Sequence, residues 1–242
     1  MQADYGQRYR TLWDGHWWWR SREDFLLAWI ERLHERMPCR RILDVGCGDG
    51  LFFDRLQRFG QVEGIEPDAS LVKDPRWRPH IKVAPLEPGS FSPGAYDLAL
   101  MLDVLEHIAD DRSALSAAWS SLRTGGHLVL TVPALPLLWS RHDEANAHYR
   151  RYIPRHLRAS LGAAGFEVET VRYFFFWTVA PMLLRRLLSP AGSSHGAADY
   201  DVAIPPRPIN WTFGALSRLE HAVGNRVRWP WGSSLLGIAR KP

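Results

Sequence analysis

Arg41-Ile42-Leu43-Asp44-Val45-Gly46-Cys47-Gly48-Asp49-Gly50 decides the fold: a short apolar strand runs without a break into a turn with glycine at every second position. Glycine lets the backbone turn sharply and lets a ligand lie against the main chain without meeting a Cβ. A helix is expected directly afterwards, over 51–59, with Leu51, Phe52, Leu56 and Phe59 apolar and Gly60 closing it. Its first N–H groups face the turn. A second strand over 62–66 ends in Glu66, sixteen residues beyond Gly50, where a carboxylate can accept both hydroxyls of a ribose. A glycine turn followed by an acid at the next strand end is expected to bind an adenosine moiety.

The alternation continues outward from this unit. A short helix is expected over 69–73, strands over 81–83 and 96–102, a helix over 112–122 and a fifth strand over 127–132. A helix over 154–164, a sixth strand over 166–173 and a last strand over 233–239 complete the series. Strand and helix alternating in this way predict an α/β protein: a doubly wound, seven-stranded, mostly parallel sheet with an antiparallel last strand. Upstream, Phe25, Leu26, Trp29, Ile30, Leu33 and Met37 recur at helical spacing, and Pro38 ends the pattern. We read 1–242 as one catalytic domain, with 1–38 as an aromatic helical cap and 174–232 as an insertion between the last two strands. Within that insertion, 189–208 is rich in Gly, Ser, Ala and Pro, and a helix follows with Ile209, Phe213, Leu216, Leu219 and Val223 on one face.

Composition narrows the class. With 242 residues, 46% hydrophobic and 23% charged, the chain falls in the globular range, which excludes disordered, collagenous and coiled-coil readings. Two cysteines, Cys39 and Cys47, cannot make a disulfide framework or a zinc site, so a reducing cytoplasm is expected. The first thirty residues mix charges and aromatics, with no secretory pattern. The net charge of +4 is almost wholly arginine, which a GC-rich coding sequence also produces. Twelve tryptophans against three lysines is the unusual entry in the composition.

Spacing selects the adenosine ligand. A dinucleotide fingerprint requires its third glycine at position 51, which is Leu51. The turn, Glu66 and the segment Tyr96-Asp97-Leu98-Ala99-Leu100-Met101-Leu102-Asp103-Val104-Leu105-Glu106-His107 closely resemble class I S-adenosylmethionine-dependent methyltransferases. The nearest subgroup is the one that includes the ubiquinone-pathway O-methyltransferases. His16-Trp17-Trp18-Trp19-Arg20, Trp139 to Glu144 and His148 to Tyr152 look like a bacterial branch that accompanies cell-surface polysaccharide or lipid biosynthesis. The resemblance implies S-adenosyl-L-methionine as cofactor, with Asp44, Gly46, Cys47, Gly48 and Gly50 beside its methionine and ribose. Glu66 would hold the ribose hydroxyls, Pro67 and Asp68 would lie along the adenine, and Leu86 would sit in the third-strand loop. Leu102 and Asp103 would face the methionine end.

Methyl transfer from a sulfonium is an in-line displacement that needs alignment, water exclusion and, for some acceptors, a base. His107, His142 and His148 are the candidate bases. His142 and His148 are six apart with Asp143 and Glu144 nearby, a spacing that matches no common zinc motif, so no metal is expected. Topology places 174–232 and Trp17 to Trp19 on the ligand side, which predicts an aromatic wall and a small apolar, aromatic, lipid-linked or sugar acceptor. Phe174 to Trp177 with Arg185 and Arg186 form a candidate peripheral contact with the inner membrane surface, against which stands burial of the same aromatics. Two rivals remain: a nucleic-acid methyltransferase, supported by Arg150, Arg151, Arg155 and Arg158, and a cofactor-binding module without turnover. The first lacks the Pro-Pro-aromatic turn of amino-directed base methylation after strand four, so no nucleic-acid partner is expected.

Overall fold

A computed structural model describes residues 10–188, 203–224 and 226–242, without the side chains of 185–188. The strands are β1 (Arg41–Val45), β2 (Gln61–Glu66), β3 (Ile81–Val83), β4 (Tyr96–Leu102), β5 (Leu122–Pro133), β6 (Glu167–Phe174) and β7 (Ser234–Arg240). They form one sheet in the order β3-β2-β1-β4-β5-β7-β6. β1 to β5 pair in parallel, and β7 runs antiparallel between β5 and β6. The strand order therefore reverses between β1 and β4, and the carboxyl ends beside that switch form the ligand edge of a doubly wound sheet.

Alternation along the central strands feeds two apolar layers. Ile42, Leu98, Leu100 and Val129 pack on one face with Phe25, Leu26, Ile30, Phe53, Phe174 and Phe175. Leu43, Val45, Ala99 and Met101 pack on the other with Leu115, Ala118, Leu157 and Leu161. Burial on both faces is why β1 and β4 read as nearly continuous apolar runs.

Helix α1 (Trp17–Arg36) starts eight residues earlier than the apolar period indicates, and a helical turn over 10–15 precedes it. His16 caps it by accepting from the Trp18 N–H at 3.1 Å through Nδ1. The helix expected over 51–59 contracts to α2 (Phe53–Leu56), and 69–73 forms turns, not a helix. Asp49 accounts for the second difference, since its Oδ1 accepts the N–H groups of Lys73 and Asp74 and pulls that segment onto the glycine turn. Helices α3 (Asp111–Ser121), α4 (Arg141–Ala145) and α5 (Pro154–Ala163) follow.

The insertion carries α6 (Val179–Leu188) and α7 (Arg207–Gly224). Most of the loop expected over 189–208, and the Arg185 and Arg186 side chains, lie outside the described residues. Phe174 and Phe175 are buried in the core and Phe176 and Trp177 are half-buried, so of the two readings of this aromatic run, membrane contact and burial, the packing follows burial. The apolar face assigned to α7 is corrected as well. Ile209, Leu216, Leu219 and Val223 point to solvent, and Phe213 alone of the five turns inward to pack on Trp17 and Trp177. The inward positions go to Gly214, Ser217, Glu220 and Gly224 because the 175–177 turn needs acceptors. Glu220 takes the N–H groups of Phe176 and Trp177, and Ser217 takes the Trp177 indole.

Trp17, Trp18, Phe175, Trp177 and Phe213 form a nest with ring centroids 5.0–5.9 Å apart, joining α1, the exit of β6 and α7. Phe175→Ala should cost about 3–5 kcal/mol, the usual loss for an aromatic removed from a closed core. Urea denaturation checks this, and a cost below about 1 kcal/mol would show that the nest is loosely packed.

Candidate active site

The glycine turn is shaped by three left-handed residues: Gly46 at φ 67°, Gly48 at 54° and Gly50 at 70°. Gly46 also has no room for a side chain, because a Cβ there would stand 2.5 Å from Val104. Gly48 differs: nothing lies within 4 Å of a Cβ placed there, so its backbone faces open space. Glu66, at the end of β2, accepts the Gly48 N–H at 2.9 Å on one oxygen and the Asp68 N–H at 3.0 Å on the other. Each oxygen keeps a lone pair, so a diol at this place can still be bound. Burial raises the Glu66 pKa, opposed by those two backbone donors. Pro67 and Asp68 are exposed beside it, and the Ala84 N–H bonds the Glu66 carbonyl, which brings the loop bearing Leu86 to the same end. Leu86 packs against the core on the α3 side of the sheet.

Asp44 is buried on β1, and burial pushes its pKa up to about 7, opposed by Arg22 and reinforced by Glu66. Leu102 ends β4 half-buried, and Asp103 follows at φ 56°. The Arg22 guanidinium reaches Asp103 at 2.6 Å and the Thr131 hydroxyl at 2.9 Å, while its Nε is buried without a partner. It also lies 5.5 Å from the Trp18 ring centre and 5.9 Å from that of Trp19. Sequence reading missed Arg22. The signal was an arginine on the apolar side of α1, three residues before Phe25, where a chain normally places a hydrophobe. Cys47 lies half-buried in the turn, its thiol pushed upward by burial, and is not poised as a nucleophile.

The histidines meet further along the edge. His107 and His148 pack edge to face with centroids 4.6 Å apart, and His142 is 6.3 Å from His148. The Tyr149 N–H on the Glu106 carbonyl ties the two segments together. Asp143 is fully buried in the capping box of α4 and accepts from His148 Nδ1 at 3.0 Å. Arg151 donates to both Asp143 oxygens, at 2.7 and 2.9 Å. Burial would raise Asp143, but the His148 and Arg151 hydrogen bonds prevail and hold it below the usual carboxylate range. His107 falls to about 4 through burial and the neighbouring His148. Glu106 is raised well above its ordinary value by burial and Asp103, and its Oε2 has no partner. Glu106, His107 and His148 each present an atom within 4.8 Å of the others, a grouping the His142–His148 spacing did not reveal.

Comparison with known proteins gives this edge its class. A family profile described as a methyltransferase domain matches residues 18–171. The chain belongs to that family and carries a class I S-adenosylmethionine-dependent methyltransferase domain. It is 31% identical to the ubiquinone biosynthesis O-methyltransferase of Xanthomonas euvesicatoria, over 54% of this chain and 64% of that protein. The namesake of Burkholderia pseudomallei is 26% identical over 73% of this chain and 78% of that one. Among solved structures, a methyltransferase of Thermotoga maritima, described as a possible histamine N-methyltransferase, aligns over 99% of this chain and 98% of its own. It is 19% identical with a TM-score of 0.60, a likeness of fold.

Two outcomes follow from this geometry. Glu66→Ala should weaken S-adenosylhomocysteine binding at least about tenfold, since two ribose hydroxyls lose a charged acceptor; unchanged affinity by calorimetry would refute the ribose assignment. Asp44 carries a raised pKa in the folded state, so its contribution to apo stability is full below about 4 and is lost as pH rises through about 7. Asp44→Asn should therefore gain Tm relative to the parent between about pH 5 and pH 8; the same difference at both pH values would contradict it.

Proposed function

We propose that the protein moves the methyl group of S-adenosylmethionine to an oxygen of a small apolar, aromatic or lipid-linked acceptor. The observation that carries the acceptor class is Arg22, which touches Asp103 at the strand edge and lies against Trp18 of the aromatic nest and its neighbour Trp19. A ring-bearing or aliphatic molecule suits such a surface next to a methyl donor. The O-methyltransferase names of the sequence relatives support oxygen as the receiving atom.

The bound cofactor supplies an electrophilic methyl on a sulfonium. Around it, Glu66 holds the ribose, the open backbone at Gly48 admits the adenosine side, and Asp44 and Asp103 supply negative charge for a cation. His148 acts as the base: Asp143 fixes Nδ1 as the protonated nitrogen and leaves Nε2 to accept the acceptor's proton. Neutral His107 against its ring limits the cost of a second positive charge there.

The nucleic-acid reading loses part of its support. Arg151 is buried on Asp143, and Arg150 is committed to Asp111 and the Ala109 carbonyl. A second reading of the base site has one observation in its favour, the convergence of Glu106, His107 and His148, which could hold a divalent cation that lowers the acceptor's pKa.

His148→Ala should lower turnover by about 10²–10⁴ while S-adenosylhomocysteine affinity stays unchanged. Labelled methyl transfer to phenol and lipid pools measures the first, and calorimetry the second. Equal turnover in parent and variant would exclude His148 as base. Activity lost to a chelator and restored by magnesium would favour the cation reading.

A further inference from the structure

Helix α7 is amphipathic in an unusual sense, because its apolar stripe faces away from the protein. Ile209, Leu216, Leu219 and Val223 fall within one side of the helical wheel, and all four are exposed. Trp211, at 70% exposure, stands beyond the edge of that stripe, and Val227 and Trp231 continue the exposed apolar surface past the helix end. The side of the helix next to the stripe is fully used, by Glu220 and Ser217 on the 175–177 turn, by Phe213 in the nest and by Asn210 on Gly15 and Trp17. Rotating the helix to bury the stripe would break all of these contacts. Its outward direction is therefore fixed by the fold.

The charges around the stripe have one sign. In residues 203–224 and 226–232 the exposed charged side chains are Arg207, Arg218, Arg226 and Arg228, and the acid of this stretch, Glu220, is buried. Exposed leucine, isoleucine and tryptophan edged by arginines suit the boundary of an anionic bilayer, where apolar side chains enter the acyl region and guanidinium groups meet phosphates. Among the described residues no helix is long and apolar enough to cross a membrane, so contact would be interfacial. The Trp17 end of α7 lies at the ligand edge, through the Asn210 bonds to Gly15 and Trp17.

We propose that the outward face of α7, Ile209, Leu216, Leu219 and Val223 with Trp211 and the flanking arginines, docks the protein on the surface of an anionic bilayer. Docking there sets the nest and the strand edge beside the membrane, the position from which a lipid-linked acceptor could enter. The docking surface does not depend on the reaction, and it stands if the acceptor turns out otherwise.

The test is co-sedimentation of the full chain with vesicles of phosphatidylglycerol and phosphatidylcholine, compared with phosphatidylcholine alone. Binding should occur on the anionic vesicles and weaken about tenfold or more at about 0.5 M salt. Leu216→Glu/Leu219→Glu should reduce it about tenfold or more, since two exposed leucines that would enter the acyl region are exchanged for charges. Far-UV circular dichroism and S-adenosylhomocysteine affinity should match the parent, which separates lost docking from lost folding or a lost cofactor site. Arg218→Glu/Arg228→Glu provides a second variant that spares the apolar stripe, and should weaken anionic binding alone. Absence of binding by the parent, equal binding by all variants, or a solution dimer dissociated by Leu216→Glu/Leu219→Glu would each overturn the proposal.

Discussion

The Arg22 guanidinium between Asp103 and Thr131 is the interaction on which the ligand edge depends. Asp44, Glu66, Asp103 and Glu106 gather where β1, β2 and β4 end, and like charges brought this close disfavour one another's ionisation. Arg22 opposes the shift at both Asp44 and Glu106. A buried cation partly balancing several carboxylates leaves a pocket with surplus negative character, which a sulfonium ligand with an ammonium group would relieve. Burial, reinforced by Glu66, raises the Asp44 pKa, and a cation bound beside it would lower it again.

Arg22 also explains the aromatic content of the chain. It can reach the strand ends only if α1 crosses the face of the sheet, and the nest of Trp17, Trp18, Phe175, Trp177 and Phe213 holds the start of that helix in place. Trp18 and Trp19 lie against the guanidinium. Several of the twelve tryptophans thus serve one purpose, closing an apolar wall around a charged centre. Farther along the edge, Asp143 orders His148 and Arg151 through a network that is nearly sealed from solvent.

The succession of strands along the chain and the glycine turn were readable because each depends on local signals: apolar runs ended by turn residues, and glycines where φ is positive. The antiparallel last strand also matched its expected place. The helix expected over 69–73 was misjudged because Asp49 side-chain bonds to Lys73 and Asp74 compete with helical ones, and a sequence does not show which side chain reaches which backbone. Helix α7 was assigned the wrong inner face for a related reason. Apolar periodicity assumes that the core is the only apolar medium available, whereas the 175–177 turn demanded buried Glu220 and Ser217. Arg22 and the pairing of His107 with His148 rest on contacts across 109 and 41 residues, which no spacing rule encodes.

Calorimetry near pH 6 in two buffers of different ionisation enthalpy measures whether a cationic adenosyl cofactor balances the carboxylate-rich edge. S-adenosylmethionine should bind with release of a proton, as Asp44 ionises beside the incoming cation, and NAD should give no binding heat. Heats identical in both buffers, or NAD binding tighter than S-adenosylmethionine, would contradict the account.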